Sequence, residues 1–123
     1  MHTILICDDD RDIVSALDIY LASEGYRTLK AYNGLEAIQA VERNEVHLIL
    51  MDIMMPVMDG LEATREIRTM NRSDASAVAI IAMTANAFAE DKSKALKAGM
   101  DEYLTKPLES EKLIRALSRY KYN

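Results

Sequence analysis

Four short stretches of this sequence end in side chains able to do chemistry: Asp8-Asp9-Asp10, Asp52, Thr84-Ala85 and Lys106-Pro107. Each follows an apolar run, so the chain places carboxylates, a hydroxyl and an ammonium at the ends of what read as buried strands. Carboxylates crowded together repel one another and hold on to their protons unless a cation compensates. Hard oxygen donors suit Mg²⁺, which takes few carboxylates and keeps several of its waters. With Mg²⁺ and an ammonium beside it, Asp52 stays ionised and can serve as a carboxylate nucleophile toward a phosphoryl group.

The elements that must position these groups follow from the hydrophobic pattern. Thr3 to Cys7, Val46 to Met51 and Val78 to Met83 are nearly continuous in apolar residues, as expected of strands covered on both faces. Arg27 to Tyr32 alternates polar and apolar residues and reads as an edge strand, and Glu102 to Thr105 is a short fifth strand ending before Pro107. Between them lie segments of helical period. The first carries Ile13, Leu17, Tyr20 and Leu21 on one face and stops at Gly25. Asn33 with Glu36 three residues on resembles a capping box opening the second, whose stripe is Ala37, Ile38 and Val41. The third runs from about Leu61 to Met70, before a polar loop from Asn71 to Ser76. The fourth spans roughly Phe88 to Ala98 and ends at Gly99; the fifth, from about Glu109 to Tyr120, carries Leu113, Ile114 and Leu117. Strands alternating with helices predict an α/β fold of (βα)₅ type with a parallel sheet, and in such sheets ligands bind beyond the carboxyl ends of the strands where strand order reverses.

Composition narrows the function classes. The chain has 123 residues, half of them hydrophobic, which is the balance of one globular domain spanning residues 1–123. Cys7 is the single cysteine, so an internal disulfide and any paired-cysteine zinc or redox site are excluded, in keeping with a cytoplasmic setting. No apolar run approaches the roughly 20 residues that span a bilayer, so no membrane partner is expected. A net charge of −5 argues against gripping nucleic acid, which needs a cationic surface.

The runs Ile4-Leu5-Ile6-Cys7-Asp8-Asp9-Asp10, Met51 to Gly60, Met83-Thr84-Ala85 and Tyr103-Leu104-Thr105-Lys106-Pro107 together resemble the receiver domain of two-component response regulators. The resemblance covers the whole chain. It implies a flavodoxin-like three-layer sandwich with parallel strand order 2-1-3-4-5, which sets strands one and three side by side. It further implies that Asp52 accepts a phosphoryl group from a sensor histidine kinase. Asp8, Asp9, Asp52 and the backbone carbonyl of Met54 would bind Mg²⁺, Lys106 would pair with Asp52, and Thr84 would offer its hydroxyl to a phosphoryl oxygen. Ala85 would leave room for that group. Tyr103 would turn inward as Thr84 moves, altering the face of the fourth helix, fifth strand and fifth helix for an output domain or partner. The positions that tune dephosphorylation hold Met54 and Asn86; Met54 has no group to position an attacking water, whereas Asn86 has one. Such a domain is not an enzyme in the ordinary sense, since it promotes only its own phosphoryl transfer and loss.

Blander readings compete at several positions. Asp10 suits a plain helix cap. Asp8-x-Asp10-x-Asp12 resembles a calcium loop, but Ile13 and Ile19 stand where that loop needs glycine and glutamate. Asp59-Gly60 reads as a turn, Cys7 as core, His47 as a strand residue, and Lys112, Arg115 and Arg119 as a solvated basic stripe. A rival class is a hydrolase forming an aspartyl-phosphate on Asp8 with Asp10 as its acid, although Asp12 departs from that pattern. Within the receiver reading, a stand-alone domain, the amino-terminal half of a DNA-binding regulator and, less favoured given the start at Met1, a piece of a hybrid kinase or relay are the alternatives.

Overall fold

The computed structural model describes residues 2–71, 77–85 and 89–120. In chain order the elements are β1 (Thr3–Cys7), α1 (Arg11–Ser23), β2 (Arg27–Ala31), α2 (Gly34–Arg43) and β3 (Leu48–Asp52). There follow α3 (Gly60–Arg68), β4 (Ala79–Thr84), α4 (Ala89–Ala98), β5 (Glu102–Thr105) and α5 (Ser110–Arg119). All strand pairs are parallel, as the alternation of strands and helices predicts, and the order is β2-β1-β3-β4-β5, as the resemblance implies.

The two-residue period of a strand sorts its side chains to opposite faces, and each face is buried under its own helices. Leu5, Cys7, Ile49, Met51, Ile80 and Ala82 point one way, against Ala37 and Val41 of α2, Ala63 and Ile67 of α3, and Ala95 of α4. Ile4, Ile6, Leu48, Leu50, Ile81 and Met83 point the other way, against Val14, Leu17 and Leu21 of α1 and Leu113, Ala116 and Leu117 of α5. The result is a three-layer sandwich.

Several boundaries differ from the sequence-based ones for local reasons. β3 begins at Leu48, because the His47 ring is turned onto the start of β1, where its Nδ1 accepts the Thr3 N–H at 2.9 Å. At the other end Asp52 and Thr84 are the last strand residues, not the first residues beyond. α3 starts at Gly60, with Asp59 as its N-cap accepting the Glu62 N–H at 2.8 Å, so Asp59-Gly60 opens a helix instead of making a free turn. That helix ends at Arg68, short of Met70. On α5 the hundred-degree step per residue buries Ala116 with Leu113 and Leu117, and leaves Ile114 exposed, contrary to expectation. Of the loop from Asn71 to Ser76, residues 72–76 lie outside the described residues, as do Asn86 and Phe88.

At the end of the sheet opposite the carboxylates, Arg68 ties three segments together. Its guanidinium donates to the carbonyls of Val78 (2.5 Å) and Gly99 (2.8 Å) and to Asp101 Oδ2 (2.9 Å). The same Asp101 oxygen accepts the Ile80 N–H at 2.8 Å, which fixes the start of β5 against β4.

Candidate functional site

Strand register brings the acidic groups together. Cys7 pairs with Met51, so the residues that follow, Asp8 and Asp52, emerge side by side at the carboxyl edge. Thr84 pairs with Thr105, which sets Lys106 just beyond β4, and the Lys106 N–H donates to the Thr84 carbonyl at 2.7 Å. The Lys106–Pro107 peptide is cis.

Asp8 is fully buried and Asp52 only 4 % exposed, whereas Asp9 lies at the surface. Oxygens of Asp8, Asp9 and Asp52 all fall within 4.8 Å of one another. Lys106 Nζ reaches between the two buried carboxylates, 2.7 Å from Asp8 Oδ2 and 3.2 Å from Asp52 Oδ1. The sequence led to a pair with Asp52; the ammonium is in fact shared, with Asp8 the nearer partner. Asp8 Oδ1 accepts the Asp10 N–H at 2.9 Å, while the buried Oδ2, ion-paired with Lys106, has no hydrogen-bond donor among the described residues.

One ammonium does not offset this much buried negative charge. Burial and then the Asp8 carboxylate push the Asp52 pKa up to about 7, against the opposing pull of Lys106. Burial works to lower the Lys106 pKa, but the two carboxylates outweigh it and the net shift is upward. A buried Asp52 that resists ionising, carboxylate oxygens that converge and an Asp8 oxygen with no hydrogen-bond donor among the described residues are what a small divalent cation would complete. The donor set is all oxygen, which fits Mg²⁺.

Around this centre the other expected residues fall as follows. Thr84 is buried at the end of β4 and Ala85 beyond it is exposed. Tyr103 is half-buried against the α2–α3–α4 side of the core, with Lys92 Nζ of α4 lying 4.5 Å from its ring centre. The Met54 side chain is 79 % exposed in the loop after β3. Asn86 lies outside the described residues. Asp10 is the N-cap of α1, its Oδ1 accepting from Asp12 N (3.0 Å) and Ile13 N (3.4 Å), and is thereby committed to the helix. Asn33 caps α2, yet Glu36 answers to the Tyr32 N–H and not to Asn33 itself, a shifted form of the expected box. Cys7 is buried with its thiol pKa raised by that burial and by the neighbouring carboxylates, so it is an inert core residue. The basic stripe on α5 is spent on Glu109, Glu111 and Glu102, which pair with Lys112, Arg115 and Arg119 in turn.

Sequence reasoning missed three backbone devices. A Cβ on Gly60 would lie 2.2 Å from the Asp52 carbonyl oxygen, and one on Gly34 would lie 2.6 Å from the Met58 carbonyl oxygen. Gly60 lets the start of α3 pack on the end of β3, and Gly34 lets the start of α2 pack on the loop from Ile53 to Asp59. Within that loop Val57 has φ 69°, a region costing a β-branched residue about 1–3 kcal/mol. The Asp-Gly pair hinted at the first; nothing in the sequence flags Val57. A cleft of about 490 Å³ lies elsewhere, lined by Ile38, Glu42, Glu66, Thr69, Met70 and Asn71, and none of the carboxylate-site residues lines it.

With fold and site in view, comparison places the chain. Residues 4–118 match the response regulator receiver domain model, and the chain belongs to that family. The transcriptional regulatory protein ZraR of Klebsiella oxytoca is 40% identical over 115 residues, which cover 94% of this chain and 25% of that protein. The receiver domain of a Pseudomonas aeruginosa sensor histidine kinase, solved with a magnesium ion coordinated in its active-site cleft, is 39% identical with a TM-score of 0.88. The match covers 97% of this chain and 96% of that one. The receiver domain of the Saccharomyces cerevisiae response regulator Ssk1, solved with the histidine phosphotransfer protein Ypd1, is 30% identical with a TM-score of 0.88. That match covers 97% of this chain and 88% of the other. Against the curated relatives the chain is often short, spanning from 7% to 88% of their length. Among the described residues no helix is long and apolar enough to cross a membrane. The hydrolase reading is set aside, since the Asp10 carboxylate it needs as an acid is engaged as a cap.

Proposed function

We propose that this chain is a phosphorylation switch in which Asp52 takes a phosphoryl group from a phosphohistidine on a sensor histidine kinase or a histidine phosphotransfer protein. The observation that carries the reading is the convergence of Asp8, Asp9 and Asp52 oxygens around a shared Lys106 at the carboxyl edge of the sheet.

Mg²⁺ would be held by Asp8, Asp9 and Asp52 with the Met54 carbonyl, and when bound it supplies positive charge for the transferring phosphoryl oxygens. A carboxylate oxygen of Asp52 attacks phosphorus as the phosphorus–nitrogen bond to the donor imidazole breaks, the nitrogen keeping the electron pair and the ring leaving as neutral imidazole, its one proton already on the other nitrogen or taken from solvent. Lys106 follows the charge, turning from the carboxylate to the phosphoryl oxygens, and the Thr84 hydroxyl donates to one of them. Ala85, having no more than a methyl group, leaves that space open. The pull on Thr84 frees room beneath β4 for Tyr103 to turn inward from under Lys92, which changes the α4-β5-α5 face read by an output domain or partner. Met54 and Asn86 set how readily water removes the group. The catalysis extends no further than this transfer and the loss of the group to water as inorganic phosphate, and a cytoplasmic setting suits it.

The test is intact-mass measurement after incubation with a small phosphodonor. One phosphoryl adduct is expected, lost on removing Mg²⁺ or on Asp52→Asn; an adduct that survives in the variant would assign the acceptor elsewhere.

A further inference from the structure

The loop between β3 and α3 is closed at its base and its tip, and strained between them. At the base the Gly60 N–H donates to the Ile53 carbonyl at 2.9 Å. Near the tip the Met58 N–H donates to the Pro56 carbonyl at 2.7 Å, folding a three-residue turn about Val57 with its φ of 69°. A turn of this kind with a left-handed centre is rare and strained. Val57 is 79 % exposed, so packing of its own does little to keep it there. What holds the turn is the start of α2: the Met58 carbonyl accepts the Gly34 N–H at 2.9 Å, and only a glycine at 34 allows that approach.

We infer that this loop is a strained strap, held shut by α2 against the backbone preference of Val57, and that cation binding and closure of the strap favour each other. The coupling rests on the reading of Met54 as a cation ligand. Met54 lies on the strap between its base and its tip, so its carbonyl keeps one orientation only while the strap is shut. Releasing the strap lets Val57 return to negative φ and breaks the Met58–Gly34 bond. A cation that prefers the shut form raises its population, and the shut form raises affinity for the cation by the same factor. Position 57 is therefore a positioning residue for the site, acting through the Met54 carbonyl.

The Gly34 amide reports the strap, because it exchanges with solvent when its bond to Met58 opens. Its exchange is measured by NMR in the wild type and in Val57→Gly, with and without Mg²⁺. Gly99, whose N–H bonds Leu96 at 3.1 Å, serves as the control amide. Glycine adopts positive φ freely, so the variant should slow Gly34 exchange about fivefold or more without Mg²⁺. Saturating Mg²⁺ should slow it further in both chains and leave Gly99 unchanged. Binding itself is followed separately, by the shifts of the Asp8, Asp9 and Asp52 amides. Exchange at Gly34 unaltered or faster in the variant overturns the strain. Mg²⁺ binding without added protection at Gly34 overturns the coupling and leaves the cation site standing. No Mg²⁺ binding overturns the site reading and the coupling with it.

Discussion

Replacing Asp52 by asparagine should stabilise the metal-free chain, and increasingly so as pH rises. In the folded chain the Asp52 pKa stands at about 7 against an ordinary 3.8, because burial and the Asp8 charge disfavour its ionised form more than Lys106 favours it. The folded state therefore holds a proton that the unfolded chain has already released. The stability Asp52 contributes is fully present below pH 3.8 and is lost as pH rises through 7. At about 1.4 kcal/mol per pKa unit the whole loss is about 4 kcal/mol, of which roughly 2–3 kcal/mol falls between pH 5 and pH 8. Asparagine keeps the shape and carries no charge, so this pH dependence disappears in the variant. Urea unfolding of both chains at pH 5 and pH 8, with a chelator present, measures it. The stability difference should move in favour of Asp52→Asn by about 2–3 kcal/mol across that window. Adding Mg²⁺ at pH 8 should stabilise the wild type more than the variant, by about 3 kcal/mol at a hundredfold excess over the dissociation constant. A difference that stays constant with pH, or a variant less stable than wild type at pH 8, would refute the reasoning.

Lys106→Met removes the cation shared by Asp8 and Asp52; NMR titration of the Asp52 carboxyl should then find its pKa above 7, and phosphoryl uptake should slow. Gly60→Ala forces a methyl group against the Asp52 backbone, where no flexible side chain can give way, so chemical unfolding should report a loss of about 3 kcal/mol or more. Arg68→Ala removes the donor to the Val78 and Gly99 carbonyls and leaves the Asp101 carboxylate with the Ile80 N–H but no paired cation, and thermal and urea unfolding should find it destabilised by about 2–3 kcal/mol; Arg68→Lys, lacking the fork, recovers only part of this.

The strands and the acidic cluster were legible because each is written in a local pattern, whereas the strand order came from the resemblance to a known family. β1, β3 and β4 are built on nearly continuous apolar runs, and the polar groups at or just past their carboxyl ends announce that edge before any coordinates exist. Side chains that act at the end of an element could thus be placed by counting. What was not legible depends on pairs of residues far apart in the chain. Lys106 reaches Asp8 as well as Asp52 because the parallel register carries β1 and β5 to the same edge, and no spacing in the sequence states how an ammonium divides itself between two carboxylates. Arg68 meets Gly99 and Asp101 across 31 and 33 residues, and neither partner carries a signature of that contact. His47 was read as the second residue of a strand because its neighbours are apolar, whereas its ring serves the Thr3 amide 44 positions away.

Val57 marks the limit most sharply, for the sequence around it argues against what it does. The sequence points to a turn only at Asp59-Gly60, and a β-branched residue at the centre of the turn before it is the choice that local propensity would reject. The conformation survives because Gly34 and Gly60, 23 residues behind it and three ahead, clamp the loop on either side. A strained residue kept in place by contacts that are not its own is the signature of a segment shaped for a site rather than for stability. The site in question is the one beside it, where the backbone of Met54 follows Asp52 by two residues.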